Sequence, residues 1–366
     1  MGKCCLIYNF GMHYRLPIFR KMREVFECDF YFGNKIHTPI KKFNYADCPG
    51  FVKELKNRYI GLFYWQMGSL GLLFKPYKNY IVIGEPYNLS SWVILLFSKI
   101  TSKKIIGWTH GLYGDENGIK RWIKSVYFSL FDELLVYGEY AINLMEKERI
   151  SSKKMHCIAN SLDSERMLQL RHELKNDDIF KQHFQNNNPV VIYCGRIQKV
   201  KKLDLLLIAI SRLKATGYNV NVVLVGENVD HVNLEEQAKK LEIDNQVWHY
   251  GACYEEEKLG MLFYNASVCV SPGNVGLTAI HSLSYGCPVI THDNFSKQMP
   301  EFEAIISSVT GDFFKQGDER DLADYIQKWC TLPDNEREKI RNNCFEEIDK
   351  KWNVDYQIEV LKEVLC

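Results

Sequence analysis

Two short stretches of this chain hold residues of the type and spacing that bind a phosphorylated ligand. In CGRIQKVKKLDLLLIAI an apolar run ends at Gly195, Arg196 and Lys201 follow, and Leu203, Leu206, Leu207 and Ile210 recur at helical spacing. A forked arginine and a compact lysine charge in one strand-to-helix loop suit a phosphate, each charged hydrogen bond contributing roughly 1.5–3 kcal/mol. Taken alone, the loop fits a solvated basic turn as well. The second stretch, SPGNVGLTAIHSLSYGCPVI, leaves a strand at Ser271, passes a glycine-rich turn through Gly273, Asn274, Val275 and Gly276, and enters a helix near Leu277. Glycines there let a ligand approach the backbone, and free amides at a helix start attract anions. A turn that needs glycine only for steric reasons is the alternative.

Further candidates sit at the ends of apolar runs in the first half. NFGMHYRLPIFRKMRE puts Gly11 in the first strand-to-helix loop, with Tyr14 and Arg15 beside it. The segment from Leu16, with Phe19, Arg20, Lys21 and Arg23, reads as a basic amphipathic helix that fits an anionic membrane surface or a solvated face. IIGWTHGLYGDENG sets His110 directly after a strand, where imidazole donates or accepts near neutral pH. Asp115 and Glu116 in the following loop, and Glu85 in IVIGEPY, read as ligand contacts rather than as a base, with ordinary loop carboxylates as the alternative for Glu85.

The elements that must position these residues alternate throughout. Apolar β-like runs at Cys4–Tyr8, Asp29–Phe32, Ile60–Phe63, Tyr80–Ile83, Lys104–Trp108, Leu134–Tyr137 and Met155–Ile158 are separated by helical patterns over Leu16–Phe26, Ser90–Ile100 and Ile119–Leu130. Residues 171–188 lose the apolar runs, end in Asn-Asn-Asn-Pro and read as a linker. Alternation resumes with strands from Val190, Val220, Val247, Val268 and Val289. This predicts an α/β protein with two Rossmann-like, doubly wound parallel-sheet domains, whose strand ends face each other across a cleft. The expected domains are 1–170 and 188–345.

The two chemical stretches together resemble the retaining glycosyltransferases of family 4, which have the GT-B fold. The family pattern GR-x4-K-G-x-D-x-L is met by Gly195, Arg196, Lys201 and Asp204, with Lys202 in place of the usual glycine. Its donor loop, PS-x2-EGFG-x4-EAMACG-x-PV, runs in register with SPGNVGLTAIHSLSYGCPVI. Leu224 to Gly226, Tyr250-Gly251 and Pro300-Glu301 also match, and the run ending IANSLD resembles the family's IPNGVD. The resemblance implies that Arg196 and Lys201 take the donor diphosphate, and that Gly11, Gly226 and the segment Gly273 to Leu277 line the donor site. It also implies a sugar contact for His110, makes Tyr14, Arg15, Glu85, Asp115 and Glu116 the expected acceptor contacts, and implies a final helix, within 346–366, that crosses back onto the first domain. One departure stands out: the two glutamates usual in the donor loop are Gly273 and His281 here. Neither supplies a carboxylate, although His281 retains a hydrogen-bonding ring for a ribose hydroxyl.

The implied reaction moves a sugar from a UDP- or GDP-linked donor to a glycan or lipid-linked acceptor, with retention, in bacterial surface polysaccharide biosynthesis such as lipopolysaccharide or capsule. No separate cofactor is called for. No DxD triplet occurs, so the cations and amides are expected to neutralise the leaving diphosphate without a metal. Another GT-B enzyme, such as a nucleotide-sugar epimerase or a phosphorylase-like enzyme, and a non-catalytic sugar-binding protein remain as rivals.

Composition narrows the partners. The net charge is +1, which argues against nucleic acid, yet residues 1–150 carry 21 Lys+Arg against 13 Asp+Glu and residues 151–366 carry 25 against 32. A basic half and an acidic half are hidden in one number. The twelve cysteines are scattered without a CxxC pair and read as reduced, packed thiols. The N-terminus lacks a signal-peptide core and no apolar run reaches about 18 residues, so the expected location is the cytoplasm, peripheral to the membrane's inner face.

Overall fold

The computed structural model describes residues 3–38 and 40–365; residues 1, 2, 39 and 366, which fall within the expected domains, lie outside the described set. The chain divides into two units, Met1–Asp163 with Asn353–Cys366, and Ser164–Trp352. The first therefore contains both ends of the sequence, and the second is one continuous segment.

Unit 1 begins with β1 (Cys4–Tyr8), α1 (Leu16–Phe26) and β2 (Asp29–Gly33), followed by β3 (Phe51–Ile60), β4 (Phe63–Met67) and β5 (Asn79–Ile83). It continues through α2 (Leu89–Ser98), β6 (Lys104–Thr109), α3 (Gly118–Ser129), β7 (Glu133–Val136), α4 (Glu139–Lys147) and β8 (Met155–Cys157). The sheet order is β4-β3-β2-β1-β5-β6-β7-β8. Alternate residues feed two cores. Leu6 and Tyr8 pack with Phe19 and Met22, whereas Cys5 and Ile7 pack with Ile94, Leu95, Tyr127 and Met145. Both faces are covered, which is why β1, β2 and β5 read as unbroken apolar runs. The apolar face of α1 (Ile18, Phe19, Met22, Phe26) is spent on the first of these cores. It has no apolar face left for a membrane.

One expected strand is misplaced. Residues 60–63 form the turn between β3 and β4, an antiparallel pair in which Ile60 faces Phe63 across Gly61 at φ +60°. The strand itself, FVKELKNRYI, is largely solvated and buries only Leu55 and Asn57, so it lacks the apolar run of its neighbours.

Unit 2 opens with α5 (Ser164–Glu173) and α6 (Ile179–Phe184), so half of the expected linker is helical. Its polarity is charge pairing rather than lack of structure: Arg171 makes two hydrogen bonds to the Asp349 carboxylate, at 3.0 and 2.5 Å, and lies over the Phe345 ring. Next come β9 (Val190–Cys194), α7 (Leu203–Ala215), β10 (Asn221–Val225), α8 (Leu234–Lys240), β11 (Val247–Gly251), α9 (Glu256–Asn265) and β12 (Val268–Ser271). The unit closes with α10 (Thr278–Ser284), β13 (Val289–His292), β14 (Gly311–Phe314), α11 (Glu319–Cys330) and α12 (Asp334–Lys351). All six strands are parallel, in the order β11-β10-β9-β12-β13-β14. Finally α13 (Val354–Leu365) returns to unit 1, where Ile358, Leu361 and Val364 join the α1 core. The eleven described cysteines are all free, and eight of them are buried. No helix among the described residues is long and apolar enough to cross a membrane.

Candidate functional site

A doubly wound sheet opens a crevice where the strand order reverses direction. In unit 2 that point lies between β9 and β12, and the two chemical stretches are the loops leaving those two strands. Lys201 ties the loops together. Its Nζ donates to the Asn274 backbone carbonyl at 2.6 Å and to Asn274 Oδ1 at 2.8 Å, while the Gly273 amide donates to the Lys201 carbonyl at 2.9 Å. Burial, and then the neighbouring Arg196, bring the Lys201 ammonium down to about 8, partly countered by the charge of Glu301. An anion arriving here meets a cation already desolvated.

Gly273 is fixed by contact rather than by turn type. A Cβ there would lie 2.1 Å from the Val200 carbonyl oxygen and 2.7 Å from Lys201 Cα. No side chain fits while the two loops stay in register, which explains why this position holds no carboxylate. Beyond it, the Val275 amide is bound by Gln298 Oε1 at 2.9 Å, with the Gln298 amide group held in turn by Thr291 Oγ1 and the His292 carbonyl. Gly276 takes φ +57°, a left-handed turn into Leu277 and α10. With seven residues α10 has a short dipole, so any anion binding at this point rests on loop amides and the two cations.

Gly226, after β10, backs directly onto Gly195, where a Cβ would lie 1.8 Å from the Gly195 carbonyl oxygen. Beside it opens a cavity of about 440 Å³ lined by Ile197, Glu227, Asn228, Asn233, His249 and Gly251 among others. This is within the size range of small-ligand pockets. Glu227, Asn228 and His249 carry no motif of their own and are found only through the β10 and β11 ends that bring them together. His281 lies in α10 with Nε2 2.9 Å from Glu256 Oε1, an oxygen that also accepts from the Tyr285 hydroxyl at 2.6 Å. Burial would raise the Glu256 carboxyl, but these partners outweigh it and hold the group below its usual range. The carboxylate beside position 281 is therefore that of Glu256 at the start of α9, a partner that carries no motif of its own.

In unit 1 the order reverses between β1 and β5. Gly11 lies in the loop after β1, buried against Phe43 and Tyr45, and Glu85 follows β5. Asn9 Nδ2 donates to one Glu85 oxygen at 2.9 Å and the Tyr64 hydroxyl to the other at 2.8 Å. Burial raises the Glu85 carboxyl despite those two bonds. Arg15 is 3% exposed and surrounded by Tyr8, Tyr14, Trp108 and Tyr137, each ring centre within 5.8 Å. One terminal nitrogen donates to the Tyr137 hydroxyl, whereas Nε and the other terminal nitrogen have no partner. His110 Nδ1, Trp108 Nε1 and Asn9 Oδ1 are also unpartnered. Five unsatisfied buried atoms around one strand edge, a guanidinium among them, mark a place that a polar ligand or water completes. Burial, then Arg15 and Lys124, lower the His110 imidazole to about 3, so it is neutral at physiological pH.

The other loop carboxylates diverge. Asp115 is exposed, but Glu116 is 4% exposed and turned inward, accepting from the Tyr113 and Gly114 amides and from Lys124 Nζ at 2.6 Å. Tyr14 donates to Met12 Sδ at 2.9 Å.

Two doubly wound units with chemistry at both switch points make the GT-B fold, and solved structures agree. HepE from Anabaena, in complex with UDP, superposes with a TM-score of 0.73 over 99% of each chain at 15% identity. The lipopolysaccharide outer core galactosyltransferase WaaB, in its apo form, gives 0.72 over 99% of each chain at 14% identity. Residues 175–347 match the family described as "Glycosyl transferases group 1". A GDP-mannose-dependent alpha-(1-6)-phosphatidylinositol dimannoside mannosyltransferase from Mycobacterium tuberculosis is 28% identical over 114 residues, 30% of this chain and 29% of that protein. The chain thus spans under a third of that relative's length. The solved structures share the two-unit GT-B architecture with this chain over nearly its whole length.

Proposed function

We propose that this chain is a metal-independent, retaining glycosyltransferase of family 4. Unit 2 takes a UDP- or GDP-linked sugar and unit 1 a glycan or lipid-linked acceptor, in surface polysaccharide assembly at the inner face of a membrane. The observation that carries the reading is the Lys201 linkage at the β9/β12 switch point, where two cations and a glycine-packed loop adjoin a 440 Å³ cavity. The cavity itself is lined from the β10 and β11 ends and from Ile197, not by the two cations; in this reading it receives the nucleoside, and Arg196 and Lys201 receive the diphosphate. The bond from the sugar's anomeric carbon to the diphosphate oxygen breaks while an acceptor oxygen bonds to the same face. The acceptor proton passes to the departing phosphate, so no dedicated base is needed. The chain's contribution is to hold both reactants and to stabilise charge growing on the leaving group. His110, neutral and with Nδ1 unsatisfied, serves as a hydrogen-bonding contact to the sugar rather than a cation. Arg15 and Glu85 are the acceptor contacts best supported by their unsatisfied or perturbed groups.

The test combines binding and turnover. A thermal-shift panel of UDP- and GDP-sugars should reveal one donor, which at 100 times its Kd adds about 2.7 kcal/mol of stability. With that donor, Arg196→Ala should lower kcat by at least a hundredfold, and chelator should leave transfer unchanged. A loss confined to KM, or rescue by magnesium or manganese after chelation, refutes this mechanism. A second reading, nucleotide-sugar binding without transfer, is favoured by Gly273 and His281 standing where the family has glutamates. Donor binding without product on any lipid-linked glycan would establish it.

A further inference from the structure

We infer that unit 1 docks onto an anionic lipid bilayer through an apolar ridge formed by the β3–β4 hairpin, the turn Leu70–Phe74, α2 and α3. The inference rests on the reading of this protein as one that works on acceptors at a membrane, and it locates the contact away from α1.

Helix α2 turns apolar side chains outward as well as inward. Leu89, Val93, Leu96 and Phe97, one stripe at helical spacing, are 37–60% exposed, and Ile100 just beyond the helix is 78% exposed. The opposite face is buried and carries Ile94 and Leu95 together with Ser90, Ser91 and Ser98, whose hydroxyls are bonded: Ser90 to Asn88, Ser91 to Asn88 and the Tyr127 hydroxyl, Ser98 to Leu95. A helix whose outer side met only water would carry polar residues there. Helix α3 repeats the arrangement with Ile119, Trp122 and Ile123 outward. On the hairpin, Ile60 faces Phe63 and Lys56 faces Met67 on one exposed side.

These elements adjoin. The Gln66 amide of β4 donates to Ser90 of α2, the Phe74 and Phe97 rings lie 6.1 Å apart, and Trp92 of α2 lies 4.8 Å from Tyr127 of α3. Of the large apolar side chains exposed among the described residues, thirteen fall between Ile60 and Ile123, whereas unit 2 shows four that are scattered. A patch so concentrated marks an interaction surface.

Charge selects the occupant. Residues 51–131 hold 11 Lys+Arg and 4 Asp+Glu, so nearly the whole excess of the basic half lies here. Among these acids Glu54 is paired with Lys42 and Glu116 with Lys124, and Glu85 is hydrogen-bonded by Asn9 and Tyr64. Lys56, Arg58, Lys75 and Lys120 are exposed around the ridge. Apolar and tryptophan side chains rimmed by lysine suit the headgroup boundary of an anionic bilayer, and the same charge repels a second copy of this chain.

Full-length protein would be floated with vesicles of phosphatidylcholine alone and of phosphatidylcholine with phosphatidylglycerol. Binding is expected to the anionic vesicles, weakened at least tenfold by the triple variant Val93→Ser, Leu96→Ser, Phe97→Ser. A similar loss is expected from Lys56→Glu with Lys120→Glu. A blue shift of tryptophan emission on binding should shrink in Trp122→Phe. Thermal shifts with the panel of UDP- and GDP-sugars run in parallel, so that vesicle binding without a shift from any sugar of the panel would sink the transfer reading and leave docking intact. Undiminished binding by both variants overturns the proposal. So does a dimer by light scattering together with no vesicle binding, which would make the ridge a self-association face.

Discussion

Glu116 holds its carboxylate 2.6 Å from Lys124, and both side chains are almost wholly out of solvent. Burial would raise the carboxyl, but Lys124 and the two loop amides outweigh it and bring it to about 2 from an ordinary 4.5. Because the folded value is depressed, the pair's stabilisation is complete above about pH 4.5 and lost as pH falls towards 2. Glu116→Ala should destabilise unit 1 by about 3–5 kcal/mol, since it strands a buried ammonium, while leaving acceptor KM unchanged in protein that remains folded. Urea melts at pH 7 and pH 3 check this: the variant's deficit should shrink at the lower pH. Residue type and strand-end position were enough to select Glu116 as a ligand contact, but they do not reveal which way a loop carboxylate points. The same limit hid Glu256, whose link to His281 crosses 25 positions of sequence. Lys201 was legible because its partner loop carries its own pattern.

At the level of elements, most strands and helices could be read from apolar runs, because both sheets are covered on two faces and their strands have no polar side. The reading failed where one side meets solvent, as in β3, and where polarity reflected ion pairs, as in α5. Lys202 marks a local conflict. It takes φ +53° just before α7, at the position where the resembled family has glycine. A left-handed conformation costs a non-glycine residue roughly 1–2 kcal/mol, offset in part by the greater freedom glycine brings to the unfolded chain. Lys202→Gly should therefore raise stability by up to about 1 kcal/mol with donor binding intact, as denaturant melts with and without nucleotide-sugar would show.

The whole molecule is organised around an insertion: unit 2 interrupts unit 1, and α13 completes the earlier unit. Gln357 accepts from Ser161 and donates to the Ala159 carbonyl, while Lys104 reaches the Val364 carbonyl. With Ile358, Leu361 and Val364 each contributing about 1.5–3 kcal/mol by burial, the helix supplies an amount comparable to a domain's net stability of about 5–15 kcal/mol. A chain stopped after Trp352 should retain the nucleotide-sugar shift of unit 2 but lose protection from hydrogen exchange across β1, β2 and β5.

The return of α13 also sets an order of assembly on the ribosome. Unit 2 can close as soon as α12 has emerged, whereas unit 1, although translated first, must wait with one flank of its sheet bare until the last helix arrives. Throughout that interval the nascent chain displays both the unfinished α1 core and the apolar stripe of α2, which makes unit 1 the part most dependent on chaperones during synthesis.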